Sequence, residues 1–209
     1  GFSIKDRKYN PNNGLVQFTI KLKENSLNSD LDLDFTIREK NNPTEIIPCE
    51  VVQITYSDYI ITTEISGTWE ALSLTIKEKS EVSDNKYVKF YSDIRDIKID
   101  DTLKKKSRNE YTKEVIDNEI NDIKSKIEEL NLDISDKKSE IEDINNKINL
   151  LEEDKKYQTE SEIEATENTI SSNKTSIANL ENGIRKNENS IKELEEKINK
   201  LEEKKQDYR

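Results

Sequence analysis

Three aspartates at alternate positions, Asp30, Asp32 and Asp34, come nearest in type and spacing to a ligand set. A calcium loop that opens Asp-x-Asp-x-Asp has glycine at its sixth position and a bidentate glutamate at its twelfth. Here those positions hold Phe35 and Asn41. The alternation with Leu31, Leu33 and Phe35 instead makes the aspartates the wet face of a strand. Cys49 is the sole cysteine, so it forms no disulfide within the chain, and with no histidine anywhere nothing is at hand to activate its thiol. It reads as a small strand residue. The chain has no glycine-rich phosphate loop and no cysteine cluster, and carboxylates are too abundant for any pair to be diagnostic. The residues therefore predict a protein that is not an enzyme and holds no metal.

The elements that carry these residues fall into two regions. Of 209 residues 31% are hydrophobic and 38% charged, too little apolar material for one globule of this size. The imbalance is local: Trp69, all four phenylalanines and most tyrosines lie before residue 112, and beyond it the apolar residues are mostly Ile and Leu. A net charge of −11 repels phosphate backbones, which argues against a nucleic-acid partner. The basic run Lys104-Lys105-Lys106 reads as the solvated face of a linker. No apolar run is long enough for membrane insertion, and no secretory signal is visible. The chain has no methionine, so Gly1 is expected to follow processing or to begin a fragment. The heptads still run at Tyr208-Arg209, so a further segment is expected beyond them.

Residues 1–100 are patterned as strands. Val16, Phe18, Ile20 and Leu22 alternate with Gln17, Thr19 and Lys21, and Leu31 to Arg38 alternate in the same way. Further runs are Val51 to Tyr56, Tyr59 to Ile65, Trp69 to Ile76 and Tyr87 to Ile99. Turn residues separate them at Asn12-Asn13-Gly14, Asn41-Asn42-Pro43, Ser57-Asp58, Ser66-Gly67 and Asp84-Asn85. Short strands at this spacing predict an antiparallel β-sandwich, immunoglobulin-like in architecture, although the Cys…Trp…Cys hallmark is absent.

After a linker at 101–111, Ser107-x-x-Glu110 forms a capping box that starts a helix, and residues 112–209 read as a coiled-coil stalk. Position a of the first block is Ile120, Ile127, Ile134, Ile141 and Ile148. Its d positions are Ile116, Ile123, Leu130, Lys137, Ile144 and Leu151. A second block has Ile163, Ile170, Ile177, Ile184, Ile191 and Ile198 at a, and Thr166, Asn173, Leu180, Asn187, Leu194 and Leu201 at d. These residues are the candidate oligomerisation seam.

The two blocks are out of phase by one residue, with the change inside Glu152 to Glu162. Either the helix absorbs the skip, or it breaks, restarts at Thr159-x-x-Glu162 and folds back as a hairpin. The stretch has no Gly or Pro. In a parallel coil Glu119 meets Lys124, Asp133 meets Lys138, Lys147 meets Glu152 and Lys197 meets Glu202 on a neighbouring chain, all attractive. Glu162 facing Glu167 and Lys204 facing Arg209 are not. The balance favours one continuous parallel coil, a rod of about 140 Å at 1.5 Å per residue. Isoleucine at both a and d in the first block argues for three or more chains, whereas the second block suits a dimer.

Ile170-x-x-Asn173 and Ile184-x-x-Asn187 resemble the Ile-x-x-Asn repeats of trimeric adhesin stalks and viral fibres. That resemblance implies a homotrimer with Asn173 or Asn187 turned inward around an anion on a threefold axis. Lys174 and Glu188 stand where those families usually have Thr, and an asparagine at d also fixes register without any ion. The strand pair Val16–Ile20 and Leu31–Phe35, followed by the switch to helix after Ile99, resembles upper baseplate and tail-fibre proteins of phages that infect Gram-positive bacteria. The resemblance implies a virion component that docks on other tail or baseplate proteins through the β domain and presents receptor-binding parts on a trimeric stalk. A bacterial surface adhesin stalk and an intracellular coiled-coil scaffold are the alternatives.

Overall fold

The structure, a computed structural model, describes residues 1–23, 32–79 and 87–208. Asp30, Leu31, the Asp84-Asn85 turn and Arg209 lie outside the described residues. The chain divides into two compact units, one essentially Gly1–Val115 and the other Ile116–Asp207.

In the first unit the described residues form nine strands in two sheets: β1 (Phe2–Asn10), β2 (Leu15–Leu22), β3 (Leu33–Glu39), β4 (Asn42–Ile47), β5 (Cys49–Gln53), β6 (Asp58–Glu64), β7 (Ala71–Glu78), β8 (Tyr87–Asp93) and β9 (Lys98–Ile99). One sheet runs β5-β6-β2-β1-β9 and the other β4-β3-β7-β8. All neighbours are antiparallel except β1 and β9. With β9 set aside, this is the A-B-E-D and C′-C-F-G strand order of an immunoglobulin-like sandwich.

The inward-facing positions form one core. Val16, Phe18 and Ile20 of β2 pack with Ile37, Ile61, Leu72, Leu74 and Ile76, all essentially inaccessible. Tyr9 and Trp69 meet edge to face, their centroids 5.2 Å apart. The β1–β2 turn depends on Gly14, whose φ is +74°. A Cβ there would lie 2.2 Å from the Ile65 carbonyl oxygen, so only glycine lets the two backbones approach so closely.

Alternation predicts a wet outer face for β2, yet Gln17 and Thr19 are buried. That face is covered by the segment after β9 and by the start of the first helix. Leu103 is buried. Asn10 Nδ2 donates to the carbonyls of Asp101 (3.0 Å) and Leu103 (2.9 Å), and Asn13 Nδ2 donates to Leu103 (3.0 Å). The predicted linker is thus a strap hydrogen-bonded onto the sandwich.

The expectation of one long, continuous parallel coiled coil after the sandwich is overturned. Two helices of 47 residues each, α1 (Arg108–Asp154) and α2 (Glu160–Gln206), are separated by a single 3-10 turn at Lys155–Tyr157. Gln158 and Thr159 are extended, and Thr159 and Glu162 close a reciprocal capping box. In the second unit the helices pack antiparallel. Glu119 pairs with Lys197 (2.8 Å), Asn187 Nδ2 donates to Asp133 (2.6 Å), and Lys155 lies 3.4 Å from Glu167.

The physical reason is connectivity. Helix formers between 152 and 162 favour a continuous helix by only a few tenths of a kcal/mol each. Folding back closes the apolar seam inside one chain, at the high effective concentration a short tether provides. The one-residue phase change then costs nothing, because neither helix has to continue the other's register. Each helix is about 70 Å long at 1.5 Å per residue.

Candidate functional site

The most organised constellation of polar groups lies where α1 begins, within the sandwich unit. Ser107 and Glu110 cap the helix reciprocally. The Ser107 amide donates to Glu110 Oε2 at 2.7 Å, and the Glu110 amide donates to Ser107 Oγ at 3.3 Å. One turn on, Tyr111 is only 2% exposed and packs on Ile54 and Ile60, with Val52 and Val115 flanking it.

Glu114 follows at the next turn and reaches the same covered sheet face. Its Oε1 accepts from Lys8 Nζ at 2.7 Å and Gln17 Nε2 at 3.1 Å, and its Oε2 accepts from Lys106 Nζ at 2.6 Å. Burial raises the Glu114 carboxyl pKa, but the two ammonium groups more than reverse that and hold it below the ordinary 4.5. Burial alone would depress Lys8, and Glu114 with Asp6 raises it instead. Lys105 lies 2.8 Å from Glu50 and 3.1 Å from Glu64. The run read as a solvated linker face therefore ties α1 to the sandwich through Lys105 and Lys106.

Chemically this joint binds groups to each other rather than to a substrate. Elsewhere on the sandwich, Cys49 lines a groove of about 480 Å³ together with Asp34, Phe35 and Tyr59. Burial and the Asp34 charge push its thiol pKa up, which lowers the fraction present as reactive thiolate. Of the aspartate trio, Asp32 lies 3.4 Å from Lys79, and Asp34 stands in register with Lys77.

The seam residues all lie on the facing sides of the helical hairpin. Ile120, Ile134, Ile148, Ile170 and Ile184 are buried. Ile127, Ile141, Ile163, Ile177, Leu180, Ile191, Leu194, Ile198 and Leu201 are half-buried. Asn173 and Asn187 are half-buried as well. Asn187 spends its amide on Asp133, a carboxylate of its own chain, and the Asn173 amide nitrogen has no hydrogen-bond partner among the described residues. Glu119 and Asp133, expected to meet Lys124 and Lys138, meet Lys197 and Asn187 instead. Lys137, the polar gap in the d ladder, faces Gly183: a Cβ on Gly183 would lie 2.9 Å from Lys137 Cε.

Fold and joint together define a β-sandwich module with a helix built into it. No family model and no curated protein matches the chain. Among solved structures, a DUF4426-family protein from Pseudomonas aeruginosa PAO1 is similar at 16% identity over 39% of this chain and 74% of its own. The TM-score is 0.26, too low for that likeness to carry an argument about fold or function.

Proposed function

We propose that the chain is a structural component of a phage tail or baseplate. The sandwich is its docking module, and the helical hairpin is an arm that carries or spaces receptor-binding parts. The supporting observation is the joint: Tyr111 and Glu114 make the first two turns of α1 part of the sandwich's own packing. These contacts lie within the sandwich unit and give the docking module a helical end, which is where a structural component can continue into further structure. The resemblance of the strand pair and the strand-to-helix switch to baseplate proteins points the same way. Since the seam closes within one chain, copies are arrayed by the particle rather than by the coil, and their contacts with a repetitive surface add by multivalency.

Immunogold labelling of purified particles with antibody against the sandwich tests this reading. Label at the tail end is the expected result. Particles without label, or label on the surface of uninfected bacteria, would overturn it, the second outcome in favour of an adhesin stalk.

A further inference from the structure

The outer face of the β4-β3-β7-β8 sheet differs in character from the rest of this acidic chain. Core packing of Ile37, Leu72, Leu74 and Ile76 turns the alternate residues of β3 and β7 outward. The strand register sets them in three rows, each ending on β8. One row is Arg38, Ser73 and Tyr91; the next is Thr36, Thr75 and Lys89; the third is Asp34, Lys77 and Tyr87. Tyr87 and Tyr91 are 62% and 66% exposed, and neither ring belongs to a core cluster of the described residues. Four residues apart on one strand, they stand about 14 Å from each other at 3.4 Å per residue. Hydroxyls and cations fill the space between and beside them, with Asp34 as the acid within these three rows and, among the described residues, Asp32 and Asp93 one row beyond at either end, paired with Lys79 and Arg95. Lys89 Nζ sits 5.5 Å from the Tyr91 ring centroid, and Arg38 Nε is covered yet has no hydrogen-bond partner among the described residues.

We propose that this face binds an anionic polysaccharide. Sugar rings lay their apolar faces on the two tyrosine rings, the Thr36 and Thr75 hydroxyls meet sugar hydroxyls, and Arg38, Lys77 and Lys89 receive the acid groups. Charge complementarity selects that occupant: a local cationic face on a chain of net charge −11 suits a polymer whose charges are spaced apart. A nucleic acid, charged at every residue, is repelled by the rest of the molecule, and rings about 14 Å apart are too distant to stack neighbouring bases. Strand addition of an acidic peptide is disfavoured, since Arg7 Nη1 already donates to the Tyr91 carbonyl at 3.2 Å on that edge. The face does not depend on the particle role proposed above.

The test is retention of the full chain on an array of carboxylated, sulfated and phosphorylated oligosaccharides beside neutral ones of equal length. Titration of the best binder against Tyr87→Ala/Tyr91→Ala and against Lys89→Glu then follows. Selective retention of acidic members is expected, with at least a tenfold loss of affinity in each variant and an unchanged melting temperature, because all three side chains are exposed. The proposal fails if no acidic glycan is retained above the neutral set. It also fails if the tyrosine pair can be removed without loss, or if a twenty-residue oligothymidylate binds more tightly than any glycan. Immunogold labelling reads location alone, so failure of one proposal leaves the other standing.

Discussion

The sandwich and the hairpin are both built from simple periodic patterns, yet one period names its partners and the other does not. In the sandwich, alternation at period two says which face is buried, and short turns such as Asn12-Asn13-Gly14 bring consecutive strands side by side, so pattern and neighbour arrive together. In the helices, the heptad says only that a seam will be covered. Glu119 has an attractive partner in Lys124 of a parallel neighbour and in Lys197 of its own chain, and the local sequence suits both.

The sharpest way to break this comparison is zero-length carbodiimide coupling of the native protein followed by peptide mass mapping. An intrachain amide between Glu119 and Lys197 is expected, with none between chains. Interchain links from Glu119 to Lys124 or from Lys197 to Glu202 would restore the parallel arrangement. In the sandwich the largest energetic effect should come from Phe18→Ala, which empties the centre of the core at a cost of about 3–5 kcal/mol. Urea unfolding followed by Trp69 fluorescence should show it, while helical circular dichroism outlasts the fluorescence change if the two units unfold separately.

The joint comes next. Glu114→Gln removes the charge that Lys8 and Lys106 share and, at this partly buried site, should cost about 1–3 kcal/mol. Because the folded Glu114 pKa lies below its unfolded value, its contribution is complete above about pH 4.5 and is lost as the pH falls through the lower folded value. The variant's stability should therefore fall less steeply with acid than that of the parent, and parallel acid limbs in the two denaturation profiles would contradict this. The smallest effect concerns the helix pair. Gly183→Ala alone gains helix propensity but crowds Lys137, whereas in a Lys137→Ala background it should stabilise by up to about 1 kcal/mol. Equal gains in both backgrounds would mean that the two residues do not face each other.

Much of the sandwich was legible because β2 and β3 alternate cleanly. β1 was missed: a bulge between Ile4 and Asp6 breaks its alternation, so Phe2, Ile4 and Tyr9 do not fall on one period. β4 was missed because it is an exposed edge strand with Pro43 inside it, which reads as a turn. At the joint the Ser107 cap was readable, since its partner is three residues away. Tyr111 and Glu114 were not, because one aromatic and one acid on a charged helix look like surface until Ile60 and Lys8 arrive from distant strands. The only local hint was that Tyr111 is the last aromatic before the isoleucine ladder.

The turn at Lys155–Tyr157 also makes the length of the hairpin easy to change. Removing seven residues from each helix at the turn shortens both by about 10 Å and leaves every remaining seam pair as it was. This arm can be lengthened or trimmed like a folded ruler, and the sandwich that holds its first two turns needs no alteration.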